Sequence, residues 1–131
     1  MSILETYPLV RRLVEEHRMP LVETDLPPAG LRLLFLPSHE RQHLETPDIA
    51  AVLPDLLQVC RKLLPEGVNI EGAVAGSALE ARLGAAIDGL SLPALIVMDG
   101  QTPIGVIARM RDWADYLARF KAILAPLAVA H

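Results

Sequence analysis

The chain has 131 residues, 52% of them hydrophobic and 21% charged, with a formal net charge of −4. That size and composition fit one folded domain that needs no disulfide or metal to close its core, and they exclude disorder. The acidic balance argues against nucleic acid as a partner. The single cysteine, Cys60, excludes an internal disulfide, a CxxC redox pair and a cysteine-rich zinc module. Aromatics are only 4%, so the core must be built from aliphatic side chains.

In chain order, Val10, Leu13, Val14 and His17 fall at helical spacing, which predicts a helix from Thr6 to His17 with Thr6 as cap and Pro8 in its first turn. Leu21–Thr24 reads as a short strand, and Asp25–Gly30, with two prolines, as a turn. Leu31–Leu36 is almost wholly apolar, as expected of a strand covered on both faces. Pro37–Thr46 is polar and irregular. Thr46-Pro47 then reads as the N-cap and first residue of a helix carrying Ile49, Val52, Leu53, Leu56, Leu57, Cys60, Leu63 and Leu64, with Pro54 inside it. Pro65-Glu66-Gly67 ends that helix.

Val68–Ala75 reads as a strand. Ser77-Ala-Leu-Glu80 reads as a capping box opening a helix to about Ile87. Leu95–Met98 and Ile104–Ala108 read as two strands joined by the hairpin signal Asp99-Gly100. Asp112 is placed to cap a last helix that runs to about Leu124 and buries Trp113, Tyr116, Leu117, Phe120 and Leu124. Strands alternating with helices imply parallel pairs, and the final hairpin makes the sheet mixed. No run is long enough for a membrane helix and no targeting segment is expected in Met1–His17, so a cytoplasmic location is expected.

This order and its punctuation resemble the thioredoxin fold. Leu31–Leu36 leads through a loop into a helix with an internal proline, Pro54. Asp88-Gly-Leu-Ser-Leu-Pro93-Ala94 is similar to the segment before the family's cis-proline, and strand, turn, strand and helix follow it. The resemblance implies an α/β three-layer sandwich with a mixed sheet of four to five strands. Residues 1–131 then form a single domain, with 1–20 an added N-terminal helix and 21–125 the thioredoxin-like core. In that frame Thr46-Pro47-Asp48-Ile49 occupies the redox motif. Neither Thr46 nor Ile49 can form a thiolate, so no disulfide cycle is possible there. Cys60, farther along the helix, reads as a small buried apolar residue.

A thioredoxin-like chain without the motif, with the added helix, the segment Leu92–Gly100 and the Gly105-Val-Ile…Trp113 spacing, resembles the hydrogenase expression and maturation proteins of the HupG/HyaE family. The resemblance implies a non-catalytic chaperone of nickel-iron hydrogenase assembly that needs no cofactor. Its implied partners are the twin-arginine signal peptide of the hydrogenase small-subunit precursor and other maturation proteins. A cis Pro93 would expose backbone groups of Leu92 beside the Thr46–Ile49 helix start, where an extended peptide could pair. Glu40, Glu45 and Asp48 flank the same place and offer carboxylates to arginines. Asp55 and Glu71 are further acidic residues that the sequence does not orient.

A different chemistry is spelled by His39-Glu40-Arg41-Gln42-His43, an H-E-x-x-H match. On a helix, histidines at i and i+4 can bind one zinc while the glutamate activates a metal-bound water. Pro37 and Pro47 leave only about two turns for such a helix, short of the ~12 residues at which an isolated helix becomes marginal. Thr46 stands where the extended zinc-protease pattern has glycine. A small zinc hydrolase is therefore the alternative reading, and a solvated loop the plainer one for His39 and His43. His17 reads as a helix-end residue and His131 as terminal. A third reading is a structural subunit of a larger assembly that self-associates through its N-terminal helix.

Overall fold

The computed structural model describes residues 2–130, and the side chains up to 127. His131 lies outside the described residues. Ten elements follow in order: α1 (Ile3–Thr6), α2 (Pro8–Glu15), β1 (Leu21–Val22), β2 (Leu31–Leu36), α3 (Glu45–Leu63), β3 (Ile70–Ala75), α4 (Ser77–Ala86), β4 (Ala94–Asp99), β5 (Thr102–Ala108) and α5 (Trp113–Ala130). They form a five-stranded sheet in the order β1-β3-β2-β4-β5. β1, β3 and β2 pair in parallel, and β4 joins β2 and β5 antiparallel. The fold is a thioredoxin-like α/β sandwich with a mixed sheet, and the Leu92–Pro93 peptide just before β4 is cis.

The apolar strands are divided between two faces by the pleat. Leu33, Phe35, Ile70, Val74, Leu95 and Val97 point to one face. They are packed there by α2, α3 and α5 through Val10, Leu13, Ile49, Leu53, Leu56, Tyr116 and Phe120. Leu34, Leu36, Ala73, Ala75, Ile96 and Met98 point to the other, under Leu79 and Leu83 of α4. Cys60 is fully buried in the first layer. Burial pushes its thiol up to about 12, so it is an inert apolar residue in the folded chain.

Several boundaries differ from the sequence reading. The N-terminal helix is split: Pro8 is the first residue of α2 and holds Tyr7 extended, at φ −123°. α2 ends at Glu15. Arg18 is left-handed there (φ 55°), and Met19 N–H reaches back to Leu13 O at 3.1 Å. β1 and β3 are shorter than expected, whereas β4, β5 and α5 are longer. Thr46 is not the cap of α3. The helix starts two residues earlier, at Glu45, Leu44 holds the cap position, and Thr46 is helical and buried. Ser77 and Glu80 do not form a capping box either, since Gly76 is the N-cap of α4 and no side chain caps it. Asp112 does act as foreseen, accepting from Asp115 N at 2.8 Å. Trp113, expected in the core, is 46% exposed, because the first turn of α5 precedes the stretch that packs on the sheet.

Candidate functional site

The 37–43 segment leaves β2 and enters α3 at the end of the sheet where the cis peptide lies. It has no regular structure of its own and depends on tertiary partners. The buried Glu80 carboxylate of α4 accepts from Ser38 N and His39 N, both at 2.7 Å. Ser38 adopts φ 76°, which turns the chain so that both N–H groups face that carboxylate, and its hydroxyl donates to Arg41 O at 2.7 Å. His39 Nε2 lies 2.6 Å from Ala75 O, at the end of β3. At the other end of the segment, the Tyr7 hydroxyl donates to His43 O and accepts from His43 N, at 3.3 and 3.0 Å. His43 Nδ1 in turn accepts from Glu45 N at 3.1 Å.

A second set of contacts fixes the start of α3. Thr46 Oγ1 donates to Pro37 O at 2.8 Å. Glu45 reaches across to the connection between β5 and α5. It accepts from Arg109 Nε at 3.1 Å and from Met110 N at 2.7 Å. These bonds, the Arg109 guanidinium first, hold the Glu45 carboxyl below its ordinary range. Arg109 itself is left-handed (φ 67°), and its N–H donates to Pro93 O at 2.7 Å. The Tyr116 hydroxyl donates to Arg109 O at 3.2 Å, and burial raises its pKa.

Between these supports lies an open cleft of ≈ 760 Å³. Its walls are the 38–43 segment, the first turns of α4, Leu90-Ser91-Leu92 and Arg109. The lining mixes carboxylates (Glu40, Glu80), cations (Arg41, Arg109) and the hydroxyl residues Ser77 and Ser91 with the apolar Leu90 and Leu92. Such a surface suits a polar, extended ligand better than a compact apolar one. Among the described residues, no group of three or more His, Cys, Asp or Glu is placed to hold a metal ion.

Residues 9–116 match the HyaE family, described as hydrogenase-1 expression protein HyaE. The chain belongs to the HyaE family. It is 36% identical over 127 residues to the hydrogenase expression/formation protein HupG of Rhizobium leguminosarum bv. viciae, covering 90% of this chain and 81% of that protein. It is 35% identical over 129 residues to HupG of Rhodobacter capsulatus, covering 92% and 88%. A solved structure bearing the hupG name, from Rhodopseudomonas palustris CGA009, is 29% identical and covers 76% of this chain and 83% of its own, with a TM-score of 0.42. The family match runs from α2 into the first turns of α5, so every residue lining the cleft lies within it.

In this HyaE-family chain the residues singled out from the sequence fall in different settings. Glu40 and Leu92 line the cleft, together with His43. Thr46, Ile49 and Pro93 are buried, and their side chains do not line the cleft. Glu45 is turned toward Arg109, and Asp48 is exposed on the first turn of α3. Asp55 lies in a separate hollow between α2 and α3, and Glu71 pairs with Arg61 at 3.2 Å. The H-E-x-x-H spacing is not on a helix, so His39 and His43 share no helix face. Each also has one ring nitrogen engaged by the backbone. Sequence reasoning missed Arg109, Glu80 as a loop anchor, and Tyr7. Their partners lie 64, 42 and 36 positions away, and no local pattern marks such pairs.

Proposed function

We propose that this HyaE-family chain is a non-catalytic accessory protein of nickel-iron hydrogenase maturation. It works in the cytoplasm beside other maturation proteins. It holds the twin-arginine signal peptide of the hydrogenase small-subunit precursor in the cleft beside Pro93. The observation that carries this reading is the state of the former redox positions. Thr46 and Ile49 are thiol-free and buried, while the neighbouring cleft stays open along Leu90-Ser91-Leu92. A thioredoxin-like frame that retains the groove without a nucleophile suits binding. The names of the HupG relatives, hydrogenase expression/formation proteins, support a partner from hydrogenase formation.

In this reading the peptide lies extended along Leu90–Leu92, where backbone pairing supplies affinity without demanding chemistry. Glu40 and Asp48 supply carboxylates for guanidinium groups, which they can meet in bidentate fashion. The tagged chain should co-purify with the small-subunit precursor and lose it when the signal peptide is deleted. Equal recovery of both forms would overturn the signal-peptide assignment.

A further inference from the structure

The cleft wall formed by residues 38–43 is held at its two ends by different parts of the molecule. At the β2 end, Ser38 N and His39 N donate to the carboxylate of Glu80 on α4. At the α3 end the anchor is the Tyr7 hydroxyl, which spends both its acceptor and its donor on one residue. It accepts from His43 N at 3.0 Å and donates to His43 O at 3.3 Å. Residues 40–42 between the anchors are exposed. Among the described residues, their backbone is held by one bond, from the Ser38 hydroxyl to Arg41 O at 2.7 Å. Glu40 and Arg41, which line the cleft, therefore take their positions from the two ends.

Tyr7 is itself firmly placed between α1 and α2. Its N–H donates to Ile3 O at 3.0 Å, and its carbonyl accepts from Arg11 N at 3.1 Å. Its side chain is half-buried against the core layer that Val10 and Leu13 of α2 share with α3. On the other side of the hydroxyl, His43 leads into α3. The His43 carbonyl also accepts from Thr46 N at 3.2 Å, and its Nδ1 accepts from Glu45 N at 3.1 Å. One phenolic hydroxyl thus stands where the α1–α2 unit, the cleft wall and the start of α3 meet.

We propose that Tyr7 is a positioning residue of the cleft. Through His43, the α1–α2 unit sets where Glu40, Arg41 and the start of α3 stand and, resting on the reading of the cleft as a peptide site, its affinity for an extended peptide. Loss of the hydroxyl leaves His43 N and O to water and lets the wall open locally, while the ring keeps its place against the core. A merely structural role would instead show as a lower stability of the whole domain, with the wall and the affinity no more affected than by trimming the core elsewhere.

Amide hydrogen exchange of the full chain, followed by NMR, tests the wall, and calorimetric titration with the synthetic signal peptide of the small-subunit precursor tests the affinity. In Tyr7→Phe, exchange at Glu45 and Thr46, whose acceptors belong to His43 and not to Tyr7, should quicken about fivefold, while exchange in β2 and β3 stays as it was. The Kd for the peptide should rise about fivefold. Ile70→Val, which trims the core at the opposite end of the sheet, controls for general destabilisation and should move neither reading. Unchanged exchange at Glu45 and Thr46, or an equal change in Ile70→Val, overturns the proposal. Quickened exchange with an unchanged Kd overturns the link from wall to affinity. An unaltered chain that binds no signal peptide refutes the peptide role of the cleft instead, and exchange alone then decides whether Tyr7 sets the wall.

Discussion

The starts of α3 and α4 make an instructive pair. Each carries residues that the local code assigns to capping, Thr46 in one and Ser77 with Glu80 in the other, and neither helix uses them so. At α4 the carboxylate turns outward to gather two N–H groups of the 37–43 segment. At α3 the threonine hydroxyl reaches Pro37 O and the glutamate beside it reaches Arg109 and Met110. The α3 cap position is left to Leu44, which is 92% exposed and makes no cap bond. The difference lies in depth. Glu80 is buried and carries two charge-assisted bonds, one of them fully buried, whereas Glu45 is partly exposed and works in competition with solvent. Capping groups can thus be diverted to hold a loop when the loop's backbone has greater need of them.

Substitutions should rank by the number and charge of the bonds each removes and by how far those bonds are shielded from solvent. Glu80→Ala removes the acceptor of the buried Ser38 N and of the part-buried His39 N, and urea denaturation should show a loss of about 3 kcal/mol. Thr46→Val keeps the shape but strands Pro37 O, so a loss of about 1–2 kcal/mol is expected by the same measurement. A Thr46 variant as costly as the Glu80 variant would remove the contrast. Glu45→Gln should cost least, about 0.5–1 kcal/mol at neutral pH, because solvent screens a half-open pair.

The Glu45 effect also carries a pH signature. Its pKa is lowered on folding, so its contribution is complete above the unfolded-chain value of ~4.3 and is lost as pH falls through the lower folded value. The stability gap between the unaltered chain and Glu45→Gln should be flat above about pH 5 and close in acid. A gap that persists in acid would mean that shape, not charge, holds α3 to Arg109.

Much of the fold was legible because its signals are dense. The apolar runs of β2 and β4, the period of α3 and the Asp99-Gly100 turn each bury or bend their own residues. What was not legible depends on remote partners. Ser-x-x-Glu at 77–80 is a sound capping box in isolation, but the competing donors sit 42 and 41 positions away. Trp113 has the spacing of a core residue, yet spacing does not show that its turn lies beyond the packed stretch of α5. At the candidate site, Glu40 and Leu92 could be named from pattern and resemblance, whereas Arg109 becomes visible only once β5 is folded against β4. The histidine pair shows the converse: a complete motif with the right spacing, placed on a segment whose backbone is tied elsewhere.

At the opposite end of the sheet, Gly100 N donates to Gly30 O at 2.8 Å, and the Gln101 side chain donates to Leu26 O at 3.0 Å. Gly100 is left-handed at φ 59°, and a Cβ there would stand 2.3 Å from Pro28 O. Gly100 has no room for a side chain, and its contact with the 25–30 turn leaves none for an added residue beside it. Tolerance to insertion is therefore unequal along the molecule: loop length is pinned where the 25–30 turn meets the hairpin, so tags or grafted segments belong elsewhere.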